Sequence, residues 1–390
     1  MSGPATVPLV DPGPATVPLV DLAWQHAQVA EEVAAGWARV LDTTSFVQGP
    51  AVAAFEEAFA EWSGRRFCVS MANGTDALEL AVRAAGIGPG DEVLVPANSF
   101  VASAVAVSRA GATPCFVDVD ADTALIDPVA VAAAVTERTK AVMPVHLYGQ
   151  VAPMAAVAAV ADEHGLAVIE DGAQSHGATQ RGQAPGAFGQ AVATSFYPGK
   201  NLGAYGDGGA VLTDDEDLAA RLRALRNYGS EDKYSHDALG FNSRLDTLQA
   251  VVLSAKLARL DDWNDQRRDA ARRYEKLLSP VDGVVLPVTA GGNEHVWHLF
   301  VVQVEHRDAV LAALRDAGVG AGVHYPLPIH LQPAYAGLGY GPGDFPVAER
   351  LAARILSLPL YPGISEAQQE RVAAALAQAV STQAVSTTAE

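Results

Sequence analysis

Residues 191–213 read AVATSFYPGKNLGAYGDGGAVLT. Two short apolar runs, AVATSFY (191–197) and GAVLT (209–213), enclose a turn rich in glycine. Short apolar runs bounded by such turns are typical of strands buried on both faces. The only lysine of the stretch, Lys200, lies within the turn. The stretch therefore predicts two core strands with an amine presented between them.

The sequence before this stretch alternates between strand and helix patterns. The strand-like runs are DEVLVP (91–96), TPCFVDV (113–119), KAVMPVH (140–146) and LAVIED (166–171). Helix-like runs occupy 76–86, 99–111 and 157–165. This alternation predicts an α/β fold whose mostly parallel sheet is covered by helices on both faces. Active sites in such sheets lie at the carboxyl ends of the strands.

The sequence after residue 213 predicts a second, smaller domain. A long helical pattern fills 245–278, and a strand (297–304), a helix (307–318) and a closing helix near 365–380 follow it. We therefore expect a large domain over 17–262 and a C-terminal α+β domain over 263–380. GPATVPLVD at 3–11 recurs at 13–21, and only the second copy continues into helix-like sequence. Residues 1–16 are predicted to be a loose extension, and residues 381–390 a frayed tail.

The bulk composition narrows the class of protein. The 390 residues are 49% apolar and carry a formal net charge of −19, which disfavours nucleic acid and anionic membranes as partners. The two cysteines, Cys68 and Cys115, are too few for a disulfide framework. No apolar run reaches the ~20 residues that span a bilayer, and no Lys or Arg precedes Arg39. A cytoplasmic protein is expected.

An anion seat is predicted at Asn73-Gly74-Thr75-Asp76, directly before a helix. Free N–H groups at a helix start, next to a glycine that admits close approach, bind phosphate well. The same residue types are also favoured as ordinary helix caps. The segment alone leaves both interpretations open.

A carboxylate pair, Glu170-Asp171, ends the strand LAVIED. A carboxylate there can pair with a cationic ring nitrogen, bind a metal, act as a base or cap the next turn. Gln174 and His176 follow closely. A lone histidine is more often structural than catalytic, so His176 is not assigned a role in catalysis.

Lys200 adds an amine to the predicted anion seat and the carboxylate pair. A lysine in a tight turn between apolar strands is a better candidate for a buried, low-pKa amine than a lysine on a helix face. Pyridoxal phosphate needs N–H donors for its phosphate, an acidic partner for its ring nitrogen and a lysine for its aldehyde. The anion seat, Asp171 and Lys200 supply all three, and no metal site is expected.

At this point the sequence resembles a known family, the DegT/DnrJ/EryC1/StrS sugar aminotransferases. The resemblance spans about residues 17–380, and its most specific stretches are ANGTDAL, EDGAQSHGA, SFYPGKNLGAYGDGGA, GFNSRLDTLQA and HYPLPIHLQPAY. It implies the fold type I of pyridoxal-phosphate enzymes, which is like that of aspartate aminotransferase. It also implies a homodimer whose active sites are shared between subunits.

The resemblance implies roles for single residues. Lys200 matches the lysine that binds the aldehyde, and Asp171 matches the partner of the pyridine nitrogen. Gln174 matches the residue beside the 3-hydroxyl, and Phe100 matches the aromatic that stacks on the ring. The remaining cofactor contacts match phosphate ligands, with Asn242 lent by the neighbouring subunit: Gly74, Thr75, Ser195 and Asn242. Gly199 before the lysine departs slightly from the family pattern.

The resemblance also implies a reaction. L-Glutamate would donate an amino group, pyridoxamine phosphate would carry it, and a nucleotide-linked keto-sugar would receive it. HYPLPIHLQPAY resembles the version in enzymes that aminate C3 of dTDP-3-keto-6-deoxyhexoses for antibiotic sugars. The implied sugar contacts are His324, Tyr325 and His330, with Asn227, Tyr228 and Arg244 from the partner.

Alternatives remain at this stage. Within the aminotransferases they are amination of a 4-keto-sugar or of a keto-inositol. A catalytically silent, regulatory relative is the alternative of another class, which the intact Lys200 and Asp171 disfavour. A dinucleotide-dependent dehydrogenase is set aside, because no GxGxxG follows an early strand.

Overall fold

The structure is a computed structural model that describes residues 17–230, 235, 236 and 238–387, with side chains described to residue 383. The predicted extension at 1–16 and the last three residues of the predicted tail lie outside the described residues. None of the helices within the described part of the chain has the length and apolar character needed to span a bilayer.

A seven-stranded sheet forms the centre of the molecule. The strands within the described residues are β1 (Phe67–Met71), β2 (Glu92–Pro96), β3 (Thr113–Val117), β4 (Thr139–Val142), β5 (Ala167–Asp171), β6 (Thr179–Gln180), β7 (Ala191–Ser195), β8 (Gly209–Thr213), β9 (Val284–Val285), β10 (Asn293–Glu294), β11 (Phe300–Val304) and β12 (Ile355–Leu358). The central sheet has the order β1-β8-β7-β5-β4-β2-β3. Only β8 runs antiparallel to its neighbours within it, which confirms a mostly parallel sheet.

Helices cover the sheet and continue beyond it. They are α1 (Leu22–Ala27), α2 (Ala30–Thr43), α3 (Pro50–Trp62), α4 (Gly74–Ala84), α5 (Val101–Ala110), α6 (Pro128–Ala134), α7 (Met154–His164), α8 (Glu216–Arg226), α9 (Thr247–Leu257), α10 (Leu260–Leu278), α11 (Arg307–Asp316), α12 (Pro346–Arg354) and α13 (Glu366–Thr387). The described chain thus has the α/β architecture that the alternating pattern predicts.

Alternate strand residues point to opposite faces of the sheet and enter different cores, as the pleat requires. In β2, Val93 and Val95 pack with α4 and α5, whereas Leu94 packs with α6 and α7. In β7, Ala193 belongs to the first of these cores, and Val192 packs with α3 and α9. Both faces of the sheet are therefore buried, which explains the continuous apolar runs of the strands.

A further core forms from the second half of α10, from α11 and α13, and from the antiparallel sheet β12-β11-β9. Val17, which the prediction assigns to the large domain, is buried in this core. Its N–H donates to the Gly318 carbonyl at 3.2 Å, and its carbonyl accepts from the Gly320 N–H at 2.8 Å. The domain boundary at 262/263 stays a prediction.

Two helix predictions were wrong in detail. The pattern at 245–278 is two helices, since α9 ends at Leu257 and α10 begins at Leu260, with a turn at Ala258 and Arg259 between them. The predicted tail is helical as far as Thr387, as a continuation of α13. There Ser381 Oγ donates to the Ala377 carbonyl at 2.6 Å, and Thr382 Oγ1 donates to the Gln378 carbonyl at 2.9 Å. These hydroxyls bond within the helix rather than ending it.

Candidate active site

A cavity of about 490 Å³ opens at the carboxyl ends of β5 and β7, whose last residues are Asp171 and Ser195. Most of the residues predicted for the site line it: Gly74, Thr75, Phe100, Asp171, Gln174, Ser195, Lys200, His324 and Tyr325. Residues on five separate stretches of sequence therefore meet in one cavity, at the sheet edge that the sequence indicates.

Lys200 projects into this cavity from the turn after β7. Its N–H donates to the Tyr197 carbonyl at 2.8 Å, and the Ala204 N–H donates to the Phe196 carbonyl at 2.8 Å, so the turn is closed by its own backbone. Burial lowers the pKa of the Lys200 amine from 10.5 to about 8, and the negative charge of Asp171 opposes this shift. A larger share of the amine is neutral near pH 7 than in an exposed lysine, and only the neutral amine is a nucleophile.

A second buried lysine, Lys256, contacts the turn that contains Lys200. Lys256 Nζ donates to the Gly203 carbonyl at 2.6 Å and lies 4.6 Å from the centre of the Tyr205 ring. Burial lowers the pKa of Lys256 to about 8 as well. Lys256 does not line the cavity, so its low pKa accompanies a contact with the turn and not with the site.

Asp171 is held by one hydrogen bond to each carboxylate oxygen. Ser103 Oγ donates to Oδ2 at 2.7 Å, and the Ala173 N–H donates to Oδ1 at 3.1 Å. The side chain is almost fully buried, yet it lines the cavity. A buried, oriented carboxylate of this kind fits a cationic partner such as a protonated ring nitrogen.

The start of α4 has the features of an anion seat. Asn73 Oδ1 accepts from the Asp76 N–H at 2.8 Å, which caps the third position of the helix. The N–H groups of Gly74 and Thr75 precede it in the first turn and have no intrahelical acceptor. A Cβ at Gly74 would lie 2.6 Å from Ser195 Cβ, so only glycine allows the helix start to meet the end of β7. The helix cap is therefore present, and the anion seat stays a prediction with which this geometry is compatible.

Gly209, the first residue of β8, is needed for the same junction. A Cβ there would lie 2.4 Å from the Asn73 carbonyl oxygen and 2.7 Å from the Gly74 nitrogen. The glycine-rich segment after Lys200 thus allows the anion seat to approach the strand.

Gln174 connects the site to the segment at 324–325. Its Oε1 accepts from the Tyr148 N–H at 2.6 Å, and its Nε2 donates to the Tyr325 hydroxyl at 3.2 Å. The Tyr148 hydroxyl in turn donates to the His324 carbonyl at 2.6 Å. The ring of Tyr325 lies 5.2 Å from that of Phe100, which is half exposed. Two aromatic rings therefore stand at one wall of the cavity.

The cavity contains little positive charge. His324 and His298 both line it, and burial together with the charge of Lys200 lowers their pKa values, that of His324 to about 4. Both imidazoles are therefore neutral near pH 7. Among the described lining residues Lys200 is the one side chain with a full positive charge, and no arginine is present.

Several predicted residues lie outside this cavity. Asn227 and Asn242 pair with each other as an isolated bridge. Arg244 Nη1 donates to Asn227 Oδ1 at 3.2 Å, and the Arg244 guanidinium lies 5.6 Å from the centre of the half-exposed Tyr228 ring. We call these four residues the 227–244 cluster. None of the contacts just described joins the cluster to a residue that lines the cavity.

His330 and His176 are also placed away from the cavity. His330 is 1% exposed, hydrogen-bonds Glu349 Oε1 at 3.1 Å and packs edge-on against Phe345, so the predicted sugar contact conflicts with its burial. His176 hydrogen-bonds Thr194 Oγ1 at 2.9 Å, and burial lowers its pKa to about 3. His176 therefore has the structural environment that the sequence favours.

Glu170 supports the site from the opposite side of β5. It is fully buried, and its Oε2 accepts from His146 Nε2 at 2.7 Å. The N–H groups of Gly186 and Gly189 donate to the carboxylate at 2.9–3.1 Å. Because the Ala152 N–H donates to His146 Nδ1 at 3.1 Å, the ring proton is on Nε2, which donates to Glu170. The two adjacent carboxylates thus have separate roles, Glu170 in the core and Asp171 in the cavity.

Sequence reasoning missed other residues that line the cavity: Leu19, Val20, Tyr197, Asp207 and His298. Leu19 and Val20 arrive there because Val17 is fixed at the C-terminal core. No local pattern marks this approach, since it depends on contacts between residues some 300 positions apart.

The comparisons with known proteins agree with this geometry. The profile of the DegT/DnrJ/EryC1/StrS aminotransferase family matches residues 27–377. The chain belongs to this family. The match covers most of the chain and includes the cavity residues named above except Leu19 and Val20.

Two curated relatives are similar over nearly their whole length. The erythromycin biosynthesis sensory transduction protein EryC1 of Saccharopolyspora erythraea is 51% identical over 87% of this chain and 92% of the relative. The dTDP-3-amino-3,4,6-trideoxy-alpha-D-glucose transaminase of Streptomyces venezuelae is 49% identical over 89% of this chain and 92% of the relative. The first name speaks of sensory transduction and the second of transamination.

Solved structures show the same fold. DesV of S. venezuelae, in complex with a ketimine intermediate, superposes with a TM-score of 0.91 at 48% identity, over 93% of this chain and 98% of DesV. NtdA of Bacillus subtilis, with bound cofactor PMP, superposes at 0.85 and 33% identity, over 90% and 82%. The expected fold and cofactor are confirmed, and the chain is a pyridoxal-phosphate-dependent aminotransferase. Its own residues fit that cofactor: an uncrowded helix start, a buried carboxylate and a low-pKa lysine share one cavity.

Proposed function

We propose that this enzyme transfers an amino group from L-glutamate to C3 of a dTDP-linked 3-keto-6-deoxyhexose, in the synthesis of a deoxyamino sugar for an antibiotic. The observation that carries this is the meeting of Lys200, Asp171 and the α4 start in a cavity that Tyr325 and His324 close. The S. venezuelae relative is named as a transaminase of a dTDP-3-amino sugar, which supports C3 as the position. A cytoplasmic location fits the two free cysteines.

The described residues divide the work at the cofactor. Pyridoxal phosphate, when bound, supplies a ring that accepts the electrons of the broken Cα–H bond. Gly74, Thr75 and Ser195 would hold its phosphate, and Asp171 would balance the charge on its ring nitrogen. Gln174 would pair with its 3-hydroxyl, and Phe100 would stack on its ring. Each of these assignments uses a group that lines the cavity.

Lys200 moves the proton. Once displaced by the amino donor, its Nζ accepts the proton from the donor's Cα and then releases it. The low pKa of about 8 places the amine near the working pH, which favours both steps. Asp171 prevents the pKa from falling further, because its negative charge stabilises the ammonium form.

A homodimer completes the site in this proposal. A glutamate carboxylate and a nucleotide diphosphate both need cations, and the described lining residues offer only Lys200. Arg244 has no acidic partner closer than 4 Å in the described chain, and its guanidinium lies over the half-exposed Tyr228. We infer that the 227–244 cluster is lent to the partner's cavity, with Asn242 at its phosphate and Arg244, Asn227 and Tyr228 at its sugar nucleotide.

His324 and Tyr325 are the sugar contacts of the chain's own cavity. Ser357 Oγ hydrogen-bonds His324 Nδ1 at 2.8 Å, and Gln174 holds the Tyr325 hydroxyl. Both side chains are therefore fixed before substrate arrives, as residues that position a sugar should be.

The test is a product analysis. Purified holoenzyme is incubated with L-glutamate and one of three acceptors, a dTDP-3-keto-6-deoxyhexose, its 4-keto isomer or a keto-inositol, and products are identified by NMR. We expect an amino group at C3 and 2-oxoglutarate in equal amount. Amination of the 4-keto isomer alone, or of a keto-inositol alone, would overturn the C3 assignment. If no 2-oxoglutarate is released with any of the three acceptors, the catalytically silent, regulatory alternative is favoured. The name of the relative EryC1, a sensory transduction protein, is consistent with that alternative.

The shared site has its own test. Arg244→Ala and Lys200→Ala variants are each inactive in this proposal, but mixing them allows heterodimers in which one site has both residues. Recovery of up to about a quarter of the wild-type activity after mixing and exchange of subunits is expected, since one site in four is intact. No recovery, with subunit exchange shown by mass spectrometry, would place Arg244 in the cavity of its own chain.

A further inference from the structure

We propose that His298 is a substrate-binding residue whose Nε2 accepts a hydrogen bond from a hydroxyl of the sugar; this rests on the sugar-aminotransferase function proposed above. His298 lines the same cavity as Lys200, His324 and Tyr325. It lies in the irregular segment just before β11, where sequence reasoning expects only the beginning of a strand. Packing of a strand therefore does not explain why the side chain of His298 lines the cavity.

A chain of hydrogen bonds fixes which nitrogen of His298 carries the proton. Asn201 Nδ2 donates to Asn264 Oδ1 at 2.9 Å and to the Val296 carbonyl at 3.0 Å. The amide orientation of Asn264 is fixed in turn, because its Nδ2 donates to the His176 carbonyl at 2.8 Å. Both protons of Asn201 Nδ2 are thereby used, and its Oδ1 is left to accept.

The partner of Asn201 Oδ1 is His298 Nδ1, at 3.2 Å. An acceptor there requires that His298 Nδ1 carries the proton. The ring is neutral near pH 7, since burial and the neighbouring charge of Lys200 lower its pKa well below the usual value. A neutral imidazole protonated on Nδ1 has a bare lone pair on Nε2. No described residue donates to this Nε2.

The lone pair selects among the groups that enter the cavity. A hydroxyl or an ammonium can donate to it, whereas a carboxylate or phosphate oxygen is repelled. Glutamate approaches with two carboxylates and with an amino group that is used in the reaction with the cofactor aldehyde, whereas a keto-sugar approaches with hydroxyls on the carbons next to its carbonyl. His298 should therefore contribute to the sugar half-reaction and little to the glutamate half-reaction.

A pair of variants separates the two ring nitrogens. In His298→Asn, the side-chain amide has a nitrogen at the same number of bonds from the backbone as Nδ1. It can donate to Asn201 but leaves no acceptor in place of Nε2. In His298→Gln, the longer amide can place an oxygen near the Nε2 position. The matched control is His295→Asn, a buried histidine three residues earlier that does not line the cavity and stacks on Trp297 at 3.9 Å.

Three measurements are made on each holoenzyme. The glutamate and the keto-sugar half-reactions are followed separately by the change in cofactor absorbance, and the dissociation constant of the aminated nucleotide-sugar is measured by calorimetry. In His298→Asn we expect sugar binding and the sugar half-reaction to weaken by about 5- to 150-fold, the effect of an unpaired buried hydroxyl. The glutamate half-reaction should stay within about threefold of wild type, with partial recovery of sugar binding in His298→Gln.

Substrate analogues identify the hydroxyl. Sugars that lack the hydroxyl on one side or the other of the carbonyl are compared on wild type and His298→Asn. The analogue without the contacting hydroxyl should bind both proteins equally. An equal loss in both half-reactions would show that His298 acts through Lys200, and a loss in His295→Asn of the same size would show a structural effect; either result overturns the inference. If wild type itself does not aminate the keto-sugar, the proposed function fails first.

Discussion

Replacing Lys200 by methionine in the cofactor-free protein measures what burial of this amine costs. Burial lowers its pKa from 10.5 to about 8 against the opposing charge of Asp171. Below pH 8 the lysine is protonated in both the folded and the unfolded chain, and the folded state bears the full cost, about 3 kcal/mol of the free energy of unfolding. Water that enters the cavity reduces this figure.

The sign of the pH dependence follows from this shift. Between pH 8 and 10.5 the folded amine is neutral while the unfolded amine is still protonated, so the unfolded state binds more protons. The wild-type free energy of unfolding therefore rises with pH in this window, relative to a variant without the amine. The advantage of Lys200→Met over wild type should narrow by about 2 to 3 kcal/mol between pH 7 and pH 10.

The assay is urea unfolding of both cofactor-free proteins at pH 7 and pH 10, followed by circular dichroism. Lys140→Met is the control, because Lys140 is exposed, and its difference from wild type should not change with pH. The quantity compared is the difference between the free energies of unfolding of variant and wild type, and how this difference changes from pH 7 to pH 10. The contributions of other titrating groups cancel in this comparison. Parallel pH curves for wild type and Lys200→Met would refute the reasoning, because they would mean that the amine is solvated as in the unfolded chain.

Three further substitutions test other parts of the site. Gly74→Ala places a Cβ 2.6 Å from Ser195 Cβ and should weaken cofactor binding by about tenfold or more, measured by titration of the apoprotein; unchanged affinity would contradict the role of the α4 start. Asp171→Asn should leave the fold intact and lower kcat by at least about 100-fold, and a loss under tenfold would speak against its pairing with the ring. Glu170→Gln removes a buried carboxylate that accepts hydrogen bonds from His146 and from the Gly186 and Gly189 N–H groups, and should lower the free energy of unfolding by about 3 kcal/mol, whereas a change below about 0.5 kcal/mol would show that these contacts are dispensable.

Much of the site could be predicted because its key residues lie at the ends of local elements. Asp171 and Ser195 end buried strands, Gly74 begins a helix, and Lys200 lies in the turn between strands. Such positions carry composition signals within a few residues. The cofactor's needs then select the residue types, so an acid, an amine and a set of N–H donors are enough to indicate it.

The fold prediction failed where context overrides local pattern. β1 and β12 were missed, since FCVSM includes Cys and Ser, and ILSL follows α12 without a turn. β1 exists because each of its residues pairs with β8, from Phe67 with Thr213 to Met71 with Gly209. The partner strand lies about 140 residues away, and no local signal specifies it.

His298 and Leu19 illustrate the same limit within the site. His298 faces the cavity because Asn201, fixed by Asn264, holds its other nitrogen. Leu19 arrives there because Val17 pairs with Val319. Both placements depend on tertiary contacts, which a sequence pattern does not contain. A motif likewise does not reveal that His330 is buried outside the cavity, and its assignment to the sugar stays a prediction.

The most direct test of the account is the position of the cofactor on the chain. The holoenzyme is reduced with borohydride, digested with trypsin and examined by mass spectrometry. Two buried lysines with low pKa compete in principle, Lys200 in the cavity and Lys256 behind it. We predict a pyridoxyl adduct on the peptide spanning 182–221, with cleavage blocked at Lys200. An adduct on the peptide spanning 245–259, which contains Lys256, or no adduct at all, would contradict the assignment of Lys200.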